Sequence, residues 1–186
     1  MKRAFDIAVS LVAFTVLLLP LLLIAAGIKL TSKGPVLYWS DRVGKDNAIF
    51  KMPKFRTMRT DTPAVATHLL TDPEAYVTGI GRILRPSSLD ELPQLFSILV
   101  GDMSVVGPRP ALYNQDDLIA LRTARGIHRL VPGLTGWAQI NGRDELPIPV
   151  KVEFDYYYLL HQSFRLDMKI ILGTIMKVVF REGVTH

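Results

Sequence analysis

The chain has 186 residues, 49 % of them hydrophobic, and its 22 lysines and arginines outnumber 17 acidic residues for a formal net charge of +5. This composition predicts one domain with a real core, and the positive charge favours an anionic partner: nucleic acid, anionic lipid or a phosphorylated metabolite. The absence of cysteine excludes disulfides and thiolate metal ligands and fits a reducing compartment.

The first predicted element is an apolar segment from Ile7 to Leu30, in which Lys29 is the only charged residue. As a helix it is long enough to reach across a hydrocarbon core of about 30 Å. It is too long for the apolar region of a signal peptide, and no small-residue cleavage site follows it. A membrane helix is therefore favoured over a buried core helix.

Two features bear on whether this segment crosses the membrane. Pro20 lies in its middle and removes a backbone donor, which kinks a helix. Positive charge precedes the segment at Lys2 and follows it at Lys33, so both flanks favour the cytoplasmic side. A helix that enters and returns satisfies both flanks, whereas a straight span satisfies one. We therefore expect residues 1–33 to form a re-entrant membrane helix and residues 34–186 to lie outside the membrane, with a single span as the alternative.

The rest of the chain predicts a little strand and several helices. VLYWS (36–40) and AIFKM (48–52) are rich in aromatic and β-branched residues and flank a polar connection, which indicates a β-hairpin. Residues 60–79 are polar and predict loop or short helix. Apolar spacing predicts four helices, at 89–100, 113–125, 150–162 and 166–180. The predicted fold class is α+β, mostly helical.

Two segments, 101–110 and 131–149, are rich in glycine and proline and predict long loops. Loops of this kind in a compact domain are more often functional than idle. The last predicted helix, 166–180, has a broad apolar face that suits either a core or a bilayer surface.

The stretch SSLDELPQLF places Asp90 and Glu91 side by side, and two interpretations compete. Ser88 and Glu91 have the spacing of a capping box, and acids in a first turn suit the helix dipole. Pro93, however, fits best in a donor-free first turn, which moves the expected helix start towards Asp90 and weakens the capping role. The alternative is that the two carboxylates act on a charged substrate.

Cations that would serve such chemistry occur in suitable segments. They are Lys54 and Arg56 after the second predicted strand, Arg85 before the acid pair, Arg109 between two prolines, and Arg143 in a glycine-flanked loop. Arginines in constrained loops suit bidentate recognition of phosphate or carboxylate. Because carboxylates hold Mg²⁺ while cations neutralise phosphate charge, the set favours phosphoryl chemistry.

Other chemistries lack their sequence signatures. No G-x-x-x-x-G-K-[ST] or G-x-S-x-G motif occurs, and the four histidines show no paired metal spacing, which argues against a P-loop, a serine-hydrolase elbow and zinc. No regular basic–aromatic pattern surrounds Tyr156–Tyr158, so we expect no nucleic acid partner.

Five motifs in order then give a resemblance that covers nearly the whole chain. They are KRAFDIAVS, IKLTSKGPV, DRVGKDNAIFKMPKFRTM, LRPSSLDELPQLFSILVGDMSVVGPRP and VPGLTGWAQINGR. The sequence resembles the bacterial monotopic phosphoglycosyl transferases, also called bacterial sugar transferases. The block from DELPQLF to GPRP is the most specific part of this resemblance.

The resemblance implies an architecture and an activity. It implies a re-entrant helix-break-helix in one leaflet of the bacterial inner membrane, and amphipathic interfacial helices around an active site at the cytoplasmic face. Residues 34–186 would then be a cytosolic catalytic domain. The implied reaction moves a sugar 1-phosphate from a UDP-sugar to polyprenyl (undecaprenyl) phosphate with release of UMP, as the first membrane step of glycoconjugate assembly. Membrane lipid is an implied partner, and a homodimer is one option for the assembly.

The resemblance also implies residue roles. Asp90 matches the nucleophile that forms a covalent phospho-sugar intermediate, and Glu91 matches the catalytic glutamate that binds Mg²⁺. The phosphate-binding positions of the family fall on Lys54, Arg85, Arg109 and Arg143.

Two departures from the family pattern stand out. Leu19 precedes Pro20 where the family usually has serine, and the Thr15 hydroxyl is expected to compensate by bonding a carbonyl. The segment DELPIPVKVE after Arg143 is unusual, which leaves the sugar unassigned. Two other functions stay open: a membrane-anchored anion-binding scaffold without catalysis, and a single-span protein with an external domain.

Overall fold

The computed structural model of the chain describes residues 1–63, 72–142 and 146–180. Its helices are α1 (Lys2–Thr31), α2 (Pro73–Tyr76), α3 (Gly81–Leu84), α4 (Gln94–Val100), α5 (Asp116–Ala124), α6 (Trp137–Ile140), α7 (Ile148–Leu160) and α8 (Phe164–Phe180). Its strands are β1 (Leu37–Val43), β2 (Ile49–Phe55), β3 (Ser104–Val106) and β4 (Gly133–Thr135). The predicted class, α+β and mostly helical, is confirmed.

Helix α1 runs without interruption through 30 residues, about 45 Å at the usual rise per residue. Pro20 lies inside it, so the predicted break does not appear as a gap in the helix. Thr15 donates its hydroxyl to the Leu11 carbonyl at 2.9 Å. The carbonyl that loses its partner at the proline is that of Val16, so Thr15 does not provide the expected compensation. Re-entry into the membrane stays a prediction.

One side of α1 packs along the rest of the protein and the other side is apolar and exposed. Leu21 and Ile28 are buried against β2 and α3, and Phe14 and Leu17 contact both this cluster and the main core. The exposed side carries a row of large apolar residues, namely Leu11, Val12, Val16, Leu19, Leu22 and Leu23. Among the described residues, α1 is the one helix long and apolar enough to cross a membrane.

Polar contacts attach the first turns of α1 to the body of the protein. Lys2 Nζ lies 2.8 Å from Asp167 Oδ2 in α8. The Asp6 carboxylate, which is 3 % exposed, accepts hydrogen bonds from the Ser104 hydroxyl at 2.8 Å and the Val105 N–H at 3.1 Å. Since β3 begins at Ser104, α1 and β3 are held directly against each other.

A second set of contacts holds the end of α1. Arg56 is 5 % exposed and donates to the Ser32 hydroxyl at 2.8 Å and to the Lys33 carbonyl. The helix is therefore tied to the same folded body at both ends. The boundary between residues 33 and 34 stays a prediction.

The predicted hairpin is confirmed, and each strand is longer than expected. Antiparallel β1 and β2 pair from Leu37↔Phe55 to Val43↔Ile49. Asp46 and Asn47 in the connection have φ of 53° and 60°, a left-handed conformation that Asp and Asn adopt more readily than most residues. Lys54, which was expected just after the second strand, lies within β2, where it pairs with Tyr38 of β1.

A second pair of strands was missed, because both lie in segments predicted as loops. Parallel β3 and β4 pair Ser104 with Gly133 and Val106 with Thr135. The pairing continues beyond the strands, where the Gly133 N–H donates to the Pro108 carbonyl at 2.9 Å. Two proline-rich segments are thereby brought side by side next to the acid pair.

The four predicted helices exist with shifted ends. Residues 89–100 divide into a 3₁₀ turn, Leu89–Glu91, and the α-helix α4, while the other three predictions correspond to α5, α7 and α8. The main core gathers Met52, Leu95, Ile98, Met103, Val105, Val106, Tyr158 and Ile170. In α8, Ile170 is buried while Leu172, Ile175 and Met176 are exposed, so this helix serves the core and also presents an apolar surface.

Candidate active site

The acid pair lies in the short 3₁₀ turn between α3 and α4. Ser88 precedes it in a left-handed conformation with φ of 55°, and its side chain makes no capping hydrogen bond. The capping interpretation is therefore wrong, as is the expectation that the α-helix starts near Asp90, because α4 begins at Gln94. The local fold leaves both carboxylates for other interactions.

Glu91 is held by two cations. Its Oε1 lies 2.7 Å from Lys54 Nζ and 2.7 Å from Arg109 Nη2, and its Oε2 lies 3.3 Å from Arg109 Nη1. The side chains of Glu91 and Lys54 are each 17 % exposed. Burial by itself would raise the pKa of Glu91, but the charges of Arg109 and Lys54 hold that pKa well below its usual value. Glu91 is thus an ionised carboxylate across the physiological pH range.

Asp90 has the opposite electrostatic character. Burial, with the Glu91 charge adding to it, raises the pKa of Asp90 to about 6 against the opposing effects of Lys54 and Arg85. At neutral pH this carboxylate is mostly ionised, and it is more basic than an ordinary aspartate. Two adjacent acids whose environments separate their pKa values are typical of a site in which each acid has its own role.

The cations of the site come from separate elements. Lys54 projects from β2, and Arg109 lies three residues after β3. Arg85 follows the last residue of α3, where its charge acts on Asp90. The structure therefore assembles four of the predicted site residues: Asp90, Glu91, Lys54 and Arg109, with Arg85 close enough to influence the pair electrostatically.

Two other predicted cations have different outcomes. Arg143 lies outside the described residues, so its phosphate-binding role stays a prediction. Arg56 was named as a candidate cation but serves the end of α1, where it bonds Ser32 and Lys33. Its role in this structure is to fasten α1 to β2.

Magnesium was expected at Glu91. Among the described residues no group of three or more His, Cys, Asp or Glu side chains forms a complete protein cage for a metal. An ionised carboxylate nevertheless fits Mg²⁺, which is usually bound through one or two carboxylates together with substrate phosphates and water. The metal role of Glu91 stays a prediction, and it requires Glu91 to share its oxygens with Lys54 and Arg109 or to release one of them.

The residues behind the Arg109 loop were not predicted from the sequence. Arg122 in α5 donates from Nη1 to the Arg109 carbonyl at 2.8 Å, and it pairs with Asp155 of α7 at 2.6 Å. A signal was present, because Arg122 lies four residues after Leu118 and thus on the same helix face as a buried apolar residue. Charged residues at such positions need a partner.

Comparison with known proteins shows to which family the chain belongs. The family model for bacterial sugar transferases matches residues 1–181. The chain is 40 % identical to the sugar transferase EpsL of Bacillus subtilis (strain 168), over 99 % of this chain and 90 % of that protein. It is 44 % identical to the undecaprenyl-phosphate glucose phosphotransferase of Komagataeibacter xylinus, over 96 % of this chain and 36 % of that protein.

A third relative is the UDP-glucose:undecaprenyl-phosphate glucose-1-phosphate transferase of Klebsiella pneumoniae. It is 40 % identical over 95 % of this chain and 39 % of its own length. The chain therefore spans most of the Bacillus relative and less than half of the other two.

Proposed function

Because the chain belongs to the bacterial sugar transferase family, we propose that it transfers a sugar 1-phosphate from a UDP-sugar to undecaprenyl phosphate and releases UMP. The family and the enzyme class predicted from the sequence, a transferase of phosphosugar groups, are confirmed. The donor, the acceptor and the covalent route are the proposal, and the names of the Komagataeibacter and Klebsiella relatives support the first two.

The observation that carries the covalent route is the contrast between the two acids. Glu91 is neutralised by two cations, whereas Asp90 combines partial burial with a pKa of about 6. A carboxylate that is ionised at neutral pH yet poorly stabilised is a better nucleophile than one in full solvent. Asp90 is therefore the residue that attacks, and Glu91 is the residue that organises positive charge.

The proposed first step is a displacement at phosphorus. An Asp90 carboxylate oxygen attacks the β-phosphorus of the UDP-sugar and forms an acyl phosphate. The bond between this phosphorus and the oxygen bridging to the α-phosphate breaks, and UMP leaves with that oxygen. Lys54 and Arg109 offset the repulsion between the carboxylate and the phosphates.

In the second step a phosphate oxygen of undecaprenyl phosphate attacks the same phosphorus. The acyl phosphate bond breaks, the Asp90 carboxylate is regenerated, and the sugar leaves on an undecaprenyl diphosphate. Division into two displacements avoids bringing two separate anionic substrates together in one transition state. Mg²⁺ bound at Glu91 would supply further neutralisation of phosphate charge.

We also propose that α1 enters one leaflet and that the rest of the protein lies on the cytoplasmic face. Both ends of α1 contact one folded body, and the helix packs on that body along much of its length. A perpendicular span would therefore carry polar groups of the domain, including the acid pair, into hydrocarbon at high cost. A helix that lies near the headgroups of the cytoplasmic leaflet leaves these polar groups in water and keeps the site beside a lipid-borne acceptor.

The decisive experiment is a UMP-release screen over UDP-sugars with undecaprenyl phosphate and Mg²⁺. We expect one or a few sugars to support turnover, and radiolabelled sugar phosphate to remain on the wild-type protein when the acceptor is omitted. Asp90→Asn should abolish both signals. Turnover by Asp90→Asn would refute the nucleophile assignment, and no UMP with any sugar would favour the non-catalytic scaffold.

A further inference from the structure

The loop that carries Arg109 is held in an unusual way. Arg109 lies between Pro108 and Pro110, and neither proline has a backbone N–H to donate. The loop can therefore be fastened to its surroundings chiefly through its carbonyl groups. Gly133 N–H donates to the Pro108 carbonyl at 2.9 Å, and Arg42 Nη1 donates to the Pro110 carbonyl at 3.2 Å.

The central carbonyl, that of Arg109 itself, is bound by a buried side chain. Arg122 Nη1 lies 2.8 Å from it. The same guanidinium directs Nε and Nη2 to Asp155 Oδ2, at 3.0 and 2.6 Å. Arg122 is 8 % exposed and Asp155 is 1 % exposed. One guanidinium thus links α7 to the backbone of the residue whose side chain holds Glu91, a task that needs the fork of arginine.

Stability alone does not account for this pair. Buried ion pairs are often no more stabilising than apolar residues of similar volume, because desolvation offsets the attraction. The end of α5 and helix α7 are also joined at the surface, where Arg125 Nη2 lies 2.6 Å from Glu153 Oε1. What an apolar pair or the surface pair cannot do is fix the position of a particular main-chain carbonyl.

We propose that Arg122, oriented by Asp155, is a positioning residue. It holds the backbone of Arg109 so that the Arg109 guanidinium contacts Glu91 and the phosphates of the bound substrate. This inference rests on the proposed function for its kinetic part and on the structure alone for its geometric part. Misplacement of a charge-neutralising group by about 1 Å can cost about 10²-fold in rate.

The kinetic test compares a buried with an exposed pair. Arg122→Lys and Asp155→Asn are expected to lower kcat/KM for the UDP-sugar by about 10-fold or more. Arg125→Lys and Glu153→Gln, which alter the exposed pair between the same segments, should stay within about 2-fold of wild type. Thermal melting of each variant confirms that the comparison is made on folded protein.

A double-mutant cycle separates positioning from general weakening of the fold. If Arg122 acts through Arg109, Arg122→Lys should have little further effect in an Arg109→Lys background. An equal loss in both backgrounds would overturn the proposal, as would wild-type kinetics in both Arg122→Lys and Asp155→Asn.

Hydrogen exchange supplies a readout that does not depend on turnover. The amides of Arg109, Ala111 and Leu112 should exchange faster in Arg122→Lys than in wild type, and Glu153→Gln should leave them unchanged. Unaltered exchange in Arg122→Lys would overturn the geometric part. Absence of UMP release by the wild-type protein would instead contradict the proposed function, so the two failures are distinguishable.

Discussion

At the scale of single residues, Asp90 shows how a proposed nucleophile can oppose stability. Its carboxylate is largely removed from solvent and also lies beside the Glu91 charge, which together raise its pKa to about 6 from the ordinary 3.8. A pKa that is higher in the folded state means that ionisation favours unfolding. The destabilisation is complete above about pH 6 and absent below about pH 3.8.

We therefore expect Asp90→Asn to stabilise the protein while it abolishes turnover. At pH 7.5 the free energy of unfolding should rise by at most about 3 kcal/mol, less what solvent screens, because the amide carries no charge. At pH 4 the gain should vanish. Melting in detergent at both pH values tests this, with Asp41→Asn as the control for an exposed aspartate in a surface pair; a lower stability at pH 7.5 would contradict it.

The same pKa sets the pH dependence of the reaction. If ionised Asp90 attacks the substrate, kcat/KM should fall tenfold per pH unit below about pH 6 and level off above it. Glu91 should not contribute a second step near neutrality, since Arg109 and Lys54 hold its pKa well below the usual value. UMP release measured from pH 5 to pH 8 at constant ionic strength tests this. A kcat/KM that is independent of pH over that range would contradict ionised Asp90 as the attacking group.

At the scale of elements, α3 determines where Arg85 lies relative to the acid pair. The helix begins at Gly81, where there is no room for a side chain: an added Cβ would overlap the Thr57 carbonyl oxygen. Thr78 reinforces this junction, because its N–H donates to the same carbonyl at 2.9 Å. The segment just after β2 and the start of α3 are thus packed backbone to backbone.

Gly81→Ala should consequently displace α3 and lower both stability and turnover. We expect the free energy of unfolding to fall by about 1–3 kcal/mol, as for overpacking elsewhere in protein interiors. Gly79→Ala provides a matched control two residues away, because a Cβ there meets nothing within 4 Å. Denaturant melts of the two variants test this, and equal stabilities would show that the Thr57 junction adapts.

Element by element, the sequence was informative where the signal is local. The hairpin was predictable because aromatic and β-branched residues flank a polar turn, and the acid pair was predictable because it belongs to a specific motif. The pairing of β3 with β4 was not, because two three-residue strands about 30 residues apart carry no periodicity of their own. The Arg122–Asp155 pair was missed for a related reason: Arg122 shares a helix face with the buried Leu118, but only tertiary packing identifies Asp155 as its partner.

At the scale of the whole molecule, the exposed apolar sides of two helices bear on the membrane topology. The outer side of α1 and the exposed side of α8 both present large apolar residues, as expected for elements in contact with acyl chains. The attachments of α1 at Lys2 and at Ser32 keep its two ends on one body. A re-entrant or interfacial helix follows if that body stays in water.

Single cysteines test this directly, because the chain contains no native cysteine. Ala4→Cys and Lys33→Cys place thiols at exposed positions near the two ends of α1 and leave the attachments of Lys2 and Ser32 intact. In sealed right-side-out membranes both should resist an impermeant maleimide and react only after lysis, because the proposed one-leaflet arrangement places both ends on the cytoplasmic side. A cysteine in the exposed connection between β1 and β2, Asp46→Cys, serves as the reference for the part of the chain that is proposed to be cytoplasmic. Labelling of Ala4→Cys from outside, with Lys33→Cys protected, would establish a complete span and contradict the one-leaflet arrangement, because α1 would then have to detach from the residues that hold its first turn.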